Sequence, residues 1–366
     1  MKFTCEKQTL LREISIAQDV IASKNAISIL SNIYLEAAND SLIIKATDMK
    51  VNFETSVPVT VIEPGSTTVF GDKFYGIISS FPHDEIEFSK KDSNVTIKPI
   101  VHKRPEYKLK SIAADNFPEF SVSNTPFFEI PIKDFKNMVQ QTVFAVSDDQ
   151  TRYFMNGVFF EKVEDKLNMV ATDGRRLAFY GKKPENEISD FAGVIIPPKI
   201  LSIIVKRSGD EGLISISISD KTIFANFASY KFSSVLIEGN FPNYRKVIPE
   251  KQEFSLSVKR DDMINALRRV ALMIEQKSYR VYFDISTGKL SVYSEESEIG
   301  NVQDEIPCEY EGADITIALN YRYIEEPLKV IGEEDIILHF TEATKAITME
   351  PSPAKDFFHI VMPMQT

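Results

Sequence analysis

Leu10, Ile14, Ala17 and Ile21 fall at i, i+4, i+7 and i+11, the apolar stripe of an amphipathic helix. The same stripe returns 253 positions later as Met263, Leu267, Val270 and Ile274. A middle version keeps Phe135, Val139 and Val146 but puts Thr142 on the stripe. The middle and last stripes follow a short run that alternates with period two, Phe128-Ile130-Ile132 and Phe254-Leu256-Val258, as a half-buried strand does. Strands are expected after the first helix at Ser31–Glu36 and Ser41–Ala46. Second helices are predicted at Lys73–Ser80, Lys199–Arg207 and Tyr321–Ile331, the last expected to be kinked or shortened by Pro327. Alternating strands such as Gly212–Ser219, Ile223–Phe227 and Ile336–Phe340 follow them.

These elements recur in one order because the chain repeats itself. A shift of 125 carries Phe3 onto Phe128, Leu10 onto Phe135 and Ile14 onto Val139. It also carries Ile33-Tyr34-Leu35-Glu36 onto Val158-Phe159-Phe160-Glu161, and Ala46-Thr47-Asp48 onto Ala171-Thr172-Asp173. After a short deletion the pattern returns as Val281-Tyr282-Phe283-Asp284. The copy ends match as well: Tyr107-Lys108-Leu109 with Phe117-Pro118 resembles Tyr230-Lys231-Phe232 with Phe241-Pro242. A repeat of about 120 residues is too long for a solenoid unit and reads as whole domains, with expected bounds 1–123, 124–250 and 251–366. The predicted class is α+β: three tandem copies of one domain, each with two helices packed on antiparallel sheet.

Composition excludes some classes of function. At 43% hydrophobic and 26% charged, the 366 residues suit a folded chain without membrane spans. No run approaches the roughly 18 apolar residues of a spanning helix, and the N-terminal Met1-Lys2-Phe3-Thr4-Cys5-Glu6-Lys7 does not read as a signal peptide. Two cysteines, Cys5 and Cys308, suggest a reducing cytoplasm rather than a disulfide framework. The net charge of −11 argues at first against a phosphate partner. Its distribution argues otherwise. The helical segments 6–24, 72–80, 132–146, 197–207, 259–277 and 320–332 carry 0, 0, +1, +3, +2 and 0, which leaves −17 elsewhere. Either the helices form one basic face that attracts phosphates, or Lys and Arg are simply good helix formers on solvated faces.

Candidate chemistry is sparse. There is no phosphate-binding glycine loop, no dinucleotide fingerprint and no Cys/His spacing for a metal, so neither cofactor nor metal is expected. Asp48 and Asp173 could be read as hydrolase carboxylates, but a Thr-Asp at the same point of two copies, with Ser294-Glu295 near it in the third, is better read as a strand-end turn. Cys5 occupies the inward slot shared by Ile130 and Val258 and is read as a core residue, not a nucleophile.

An ordered set of motifs is similar to the bacterial DNA polymerase III beta subunits, the sliding clamps. It comprises Met1-Lys2-Phe3-Thr4, Arg152-Tyr153, Asn156-Gly157, Ala171-Thr172-Asp173-Gly174 and Arg176-Leu177-Ala178. Further along come Phe241-Pro242, Tyr244-Arg245, Asn320, Tyr323 and Val361-Met362-Pro363-Met364, so the resemblance spans the chain. It implies a head-to-tail homodimer forming a six-domain ring around double-stranded DNA, with helices lining the hole and no catalysis. Such a processivity factor would bind DNA without sequence preference. It would tether the DNA polymerase III alpha subunit, the clamp loader, other polymerases and repair proteins through short linear peptides. The implied setting is the cytoplasm, on the nucleoid.

The resemblance also implies site residues. Expected to face DNA are Lys24, Lys73, Arg152, Lys199, Lys206 and Arg207. Family members often carry Arg where Lys24 stands, and Asp148-Asp149-Gln150 is more acidic than its counterparts. A peptide pocket between the second and third domains would be walled by Met155, Thr172, Gly174, Arg175, Arg176 and Leu177, with Pro242, Lys246 and Val247. Asn320, Tyr323, Ile360, Met362, Pro363 and Met364 would complete it. Many relatives have His at Arg175 and Arg at Lys246, and the second exchange loses a planar fork. On its own, Met362-Pro363-Met364 also reads as the end of a buried strand; the matching Thr172–Leu177 segment favours the pocket. The dimer contact would join Tyr107, Leu109, Lys73 and Ile77 to Leu272 and Met273. Leu272 and Met273 lie off the core stripe, which suggests an interface, with filling of a wide helix face as the alternative. A DNA-free scaffold and a hydrolase remain the alternative functions.

Overall fold

A computed structural model describes residues 1–21, 28–82, 85–101, 105–219, 221–274, 278–298 and 300–365. The six helices are α1 (Lys7–Val20), α2 (Gly71–Ser80), α3 (Ile132–Gln140), α4 (Pro198–Arg207), α5 (Arg260–Val270) and α6 (Tyr321–Val330). Each copy runs strand, helix, a group of strands, helix, and three closing strands. The predicted stripes are the core: Leu10, Ile14 and Ala17 are buried on α1, as are Met263, Leu267 and Val270 on α5.

Three helices differ from expectation, each for a local reason. The stripe to Val146 predicts one helix, but α3 stops at Gln140. Thr142 N–H takes the Val139 carbonyl at 3.1 Å and its hydroxyl takes the Met138 carbonyl at 2.7 Å, so the turn tightens and closes. In the third copy α5 ends at Val270, and the N–H groups of Leu272 and Met273 reach back only three residues, to Arg269 and Val270. Residues 22–24 and 275–277 of the predicted helices lie outside the described residues. Pro327 neither stops nor shortens its helix: α6 has ten residues, as α2 and α4 do, and continues through Pro327 to Val330. The ring sits on a buried face, and the Pro327 carbonyl still accepts the Ile331 N–H.

Two compact units partition the chain, Met1–Phe135 with Lys199–Leu236, and Lys136–Pro198 with Ile237–Thr366. The division passes through the middle copy because that copy shares sheets in both directions. In the first unit an eight-stranded sheet pairs Tyr230–Val235, the closing strand of copy two, with Val51–Pro58 of copy one. In the second unit an eight-stranded sheet pairs Phe357–Val361, the closing strand of copy three, with Arg176–Lys182 of copy two. Each unit has one further sheet. A five-stranded sheet ends on Tyr107–Lys110, the closing strand of copy one, and a four-stranded sheet ends on Gln303–Pro307 of copy three. Both of these end strands are paired on one side only among the described residues.

Candidate functional site

The second unit holds every residue of the predicted pocket, and its geometry starts from one turn. Asp173 Oδ1 accepts the N–H groups of Arg175 and Arg176 at 2.9 and 3.1 Å, and Thr172 Oγ1 accepts the Gly174 N–H at 3.0 Å. Gly174 sits at φ +89°, a left-handed conformation that glycine adopts without strain. Asp48 builds the same turn in copy one, accepting from Lys50 and Val51 at 2.9 and 2.7 Å. Both carboxylates are occupied in holding backbone, as the strand-end reading expects. Burial raises the Cys5 thiol to about 12, aided by Glu6 and Glu85, which leaves it a core residue rather than a thiolate.

Beyond the turn, strand Arg176–Lys182 lies antiparallel to Phe357–Val361 with Leu177 opposite Ile360. These two join Val170 and Tyr244 in an apolar cluster flanked by Phe159, Phe179, Phe241 and Phe358. Arg176 is 10% exposed and ties the turn to α6. Its Nε donates to Asp173, one Nη donates to Glu326, the other donates to the Phe144 carbonyl, and its guanidinium lies 4.6 Å from the Tyr323 ring centre. Past Val361 the chain stays extended between two anchors. Met362 N–H donates to the Arg175 carbonyl at 2.9 Å, and Met364 N–H to Ala318 at 2.8 Å. Asn320 caps α6 by accepting the Arg322 N–H at 3.0 Å, which puts Tyr323 in the first turn.

The result is a cavity of about 410 Å³ lined by Arg175, Arg280, Asn320, Tyr323, Met362, Pro363, Met364 and Gln365. Ile360 and Leu177 belong to the buried cluster and are not part of the lining, while the lining residue Met362 is 42% exposed. Thr172 and Gly174 shape the turn. Met155 is buried, Pro242 is half-buried, and Lys246 and Val247 are exposed; none of these four lines the cavity. Sequence reasoning missed Arg280 and Gln365. Arg280 opens the strand Arg280–Ser286, and neither periodicity nor repeat register distinguishes it.

The cations expected to face DNA fare unevenly. Lys24 lies outside the described residues. Lys73 is exposed on α2. Arg152 is ion-paired with Asp149 at 2.9 Å, and Thr151 together with Arg152 holds that carboxyl down at about 2. On α4, Lys199 donates to the Val20 carbonyl and Asp48 at 2.7 and 2.6 Å. Lys206 reaches Asp19 at 2.8 Å, while Arg207 reaches Asp19 at 2.6 Å and the Ser15 carbonyl at 2.9 Å. These α4 cations staple α4 to α1 and its flanks. Exposed helical cations without an ion-pair partner among the described residues are Lys73, Lys133, Arg268 and Arg322, the last lying 3.8 Å from the Tyr279 ring centre. With the observed bounds the helices carry a net +5 and the rest −16.

Of the residues expected at a dimer contact, Tyr107 and Leu109 sit half-buried on the end strand of the five-stranded sheet. Tyr107 packs edge-on against Phe81, 5.7 Å between ring centres, and its hydroxyl lies 3.4 Å from Ser80 Oγ at the end of α2. Ile77 is buried in its own unit. In the other unit Leu272 is 79% exposed and Met273 is half-buried. Among the described residues no helix is long and apolar enough to cross a membrane, and no three His, Cys, Asp or Glu converge as metal ligands.

Three family models match in series: the N-terminal, central and C-terminal domains of the DNA polymerase III beta subunit, over residues 1–121, 129–243 and 245–365. The beta sliding clamp of Treponema pallidum is 44% identical, with all of both chains covered, and that of Escherichia coli K12 is 26% identical over the full length of both. Among solved structures, the sliding clamp of Bartonella birtlesii bound to griselimycin superposes with a TM-score of 0.95 at 27% identity, covering all of both chains. The Bacillus subtilis clamp gives 0.94 at 25%, covering 100% of this chain and 99% of that one. The repeated fold, the shared sheets and these full-length matches agree, and the chain belongs to the DNA polymerase III beta subunit family, the bacterial beta sliding clamps.

Proposed function

We propose that two copies of this chain close head to tail into a six-domain ring around duplex DNA, and that the ring tethers replication and repair proteins without chemistry of its own. The observation that carries this is the pairing rule inside the chain. The closing strand of copy two pairs with the third strand after the first helix of copy one, and copy three pairs in the same way with copy two. By that rule the closing strand of copy one, Tyr107–Lys110, needs the third strand of a copy three, which is Gln303–Pro307. Both are sheet ends, and an unpaired edge is a template for another chain. Two chains satisfy both of these edges in each copy, which is a closed head-to-tail dimer. Tyr107, Leu109, Lys73 and Ile77 then belong to one side of the contact, with Leu272 and Met273 on the other. The domain bounds we propose are 1–123, 124–250 and 251–366.

DNA contact would be made by the helices through phosphates, since bonds to base edges would stop sliding. Lys73, Lys133, Arg268 and Arg322 are exposed helical cations that support it, with Lys206 partly neutralised by Asp19. The cavity beside Tyr323 and Met362 would receive short linear peptides from the polymerase alpha subunit, the clamp loader, other polymerases and repair proteins. Its size and its mixed lining, Met362, Pro363 and Met364 with the polar Arg175, Asn320 and Tyr323, support that use. Lys246 and Val247, exposed outside the cavity, would meet the peptide's flank. The setting is the cytoplasm, on the nucleoid.

Sedimentation velocity tests the ring. At micromolar concentration the chain should sediment at twice its 41.5 kDa mass, and Leu109→Asp or Leu272→Asp should return it to the monomer. A wild-type monomer under those conditions would contradict the edge-pairing rule.

A further inference from the structure

We infer that the junction of copies one and two carries a binding site of its own, for an uncharged segment of a partner polypeptide bearing aromatic or aliphatic side chains. The site is a cavity of about 580 Å³ in the first unit, lined by the connector between the copies and by strands of the shared eight-stranded sheet. The repeat supplies an internal control. Asn52 pairs with Thr47 and with Ser233, as Leu177 pairs with Thr172 and with Ile360. Glu54 pairs with Lys45 and Lys231, as Phe179 pairs with Val170 and Phe358. Phe120 follows Phe117-Pro118 as Tyr244 follows Phe241-Pro242. At the second junction Val170, Leu177, Phe179, Tyr244, Phe358 and Ile360 pack together as one apolar cluster. At the first, the matching Lys45, Asn52, Glu54, Phe120, Lys231 and Ser233 line the cavity instead. The same backbone ladder is closed by side chains at one junction and open at the other, so the sheet itself does not require the opening. The volume falls in the range of ligand sites.

The chemistry of the lining selects the occupant. Its charges cancel: Glu54 holds Lys45 at 3.2 Å and Lys231 at 3.0 Å, and Glu119 is the fourth charged residue. Neither an anion nor a cation is favoured by that balance. The groups left without a hydrogen-bond partner among the described residues are neutral. One is the half-buried Asn226 side chain, an amide with donors and an acceptor. The other is the connector backbone from Glu119 to Val122. On one side of that stretch Phe117 packs on Tyr34, 5.4 Å between ring centres. On the other, Ser123 Oγ meets Ser217 Oγ at 2.6 Å and Thr125 Oγ1 donates to the Ile218 carbonyl at 3.0 Å. A pinned backbone with open N–H and C=O groups is a template for another chain. Apolar surface for its side chains comes from Phe120, Phe224 and Phe127, the last 43% exposed.

The test is photo-crosslinking of the full chain with an uncharged tripeptide, leucine, p-benzoylphenylalanine and phenylalanine, acetylated and amidated at its ends. Mass spectrometry should place saturable label on residues 119–127 and 222–233. Asn52→Leu with Ser233→Ile installs the side chains of the second junction and should abolish that label, while label on residues 362–365 stays unchanged. Asn226→Ala should lower the label on 119–127 and 222–233 about fivefold, the loss of one hydrogen-bonding group. The same tripeptide methylated on its backbone nitrogens should label both stretches only at background. Wild-type label confined to other residues, label that survives the double substitution or Asn226→Ala, or equal label from the methylated tripeptide would each overturn the inference. Sedimentation and melting check that the double variant folds, and Asn226→Ala carries the test by itself, since it removes no fully buried side chain. Failure of the pocket beside Tyr323 would show separately, as absence of label on residues 362–365.

Discussion

His359 lies in strand Phe357–Val361, which leads to Met362, and is 1% exposed. Its Nε2 meets Gln141 Oε1 at 3.2 Å, Gln141 Nε2 donates to the Val330 carbonyl at 2.7 Å, and Nδ1 has no partner. One buried chain of contacts thus links the residue after α3, the end of α6 and the strand that leads to Met362. Burial first, and the Arg176 charge second, push the imidazole from 6.5 down to about 3. The folded chain therefore keeps His359 neutral while the unfolded chain protonates it below 6.5. Above that pH the group contributes its full stabilisation. Between pH 6.5 and about 3 the unfolded state binds one more proton, and stability falls with acidification by about 1.4 kcal/mol per pH unit. Chemical denaturation at pH 4.5 to 6, about the middle of that window, should show a shallower slope for His359→Gln than for wild type by that amount. Equal slopes would mean that the imidazole titrates normally.

At the scale of elements, the six helices were legible in the sequence because apolar spacing reports burial directly: Leu10, Ile14, Met263 and Leu267 have no exposed surface. Their ends were less legible. Thr142 continues the stripe in spacing yet ends α3 with its own hydroxyl, a local bond that periodicity does not register. Pro327 reads as a breaker, yet it lies on the buried face of a complete ten-residue helix. The pocket divides the same way. The Thr172–Leu177 turn and the Met362–Met364 tail are contiguous motifs and were visible. Arg280 arrives from a strand far off in sequence and was not.

The cations of α4 show the same limit, because a charge count cannot see the acid across the groove. Arg207, 18% exposed and bonded to Asp19 and Ser15, is structural. Arg207→Ala should cost about 1–3 kcal/mol, read as a lower melting temperature. Arg268→Glu on the exposed side of α5 should leave melting within about 0.5 kcal/mol of wild type while weakening DNA retention. A wild-type melting curve for Arg207→Ala would remove the staple from the account.

At the scale of the molecule, −11 is an uninformative total: +5 lies on the helices and −16 elsewhere. A net positive charge on the helices, with net negative charge on the rest, favours DNA where the helices face it and disfavours it elsewhere. Such contacts are weak and salt-sensitive, so hold on DNA must come from closure rather than affinity. Topology is therefore the property to measure. The chain would be loaded by its clamp loader onto nicked circular DNA, passed over a sizing column in moderate salt, and passed again after the circle is cut once. The ring account predicts co-elution with the circle and release after linearisation. Protein that stays on the linear DNA, or that never stays on the circle, would contradict it.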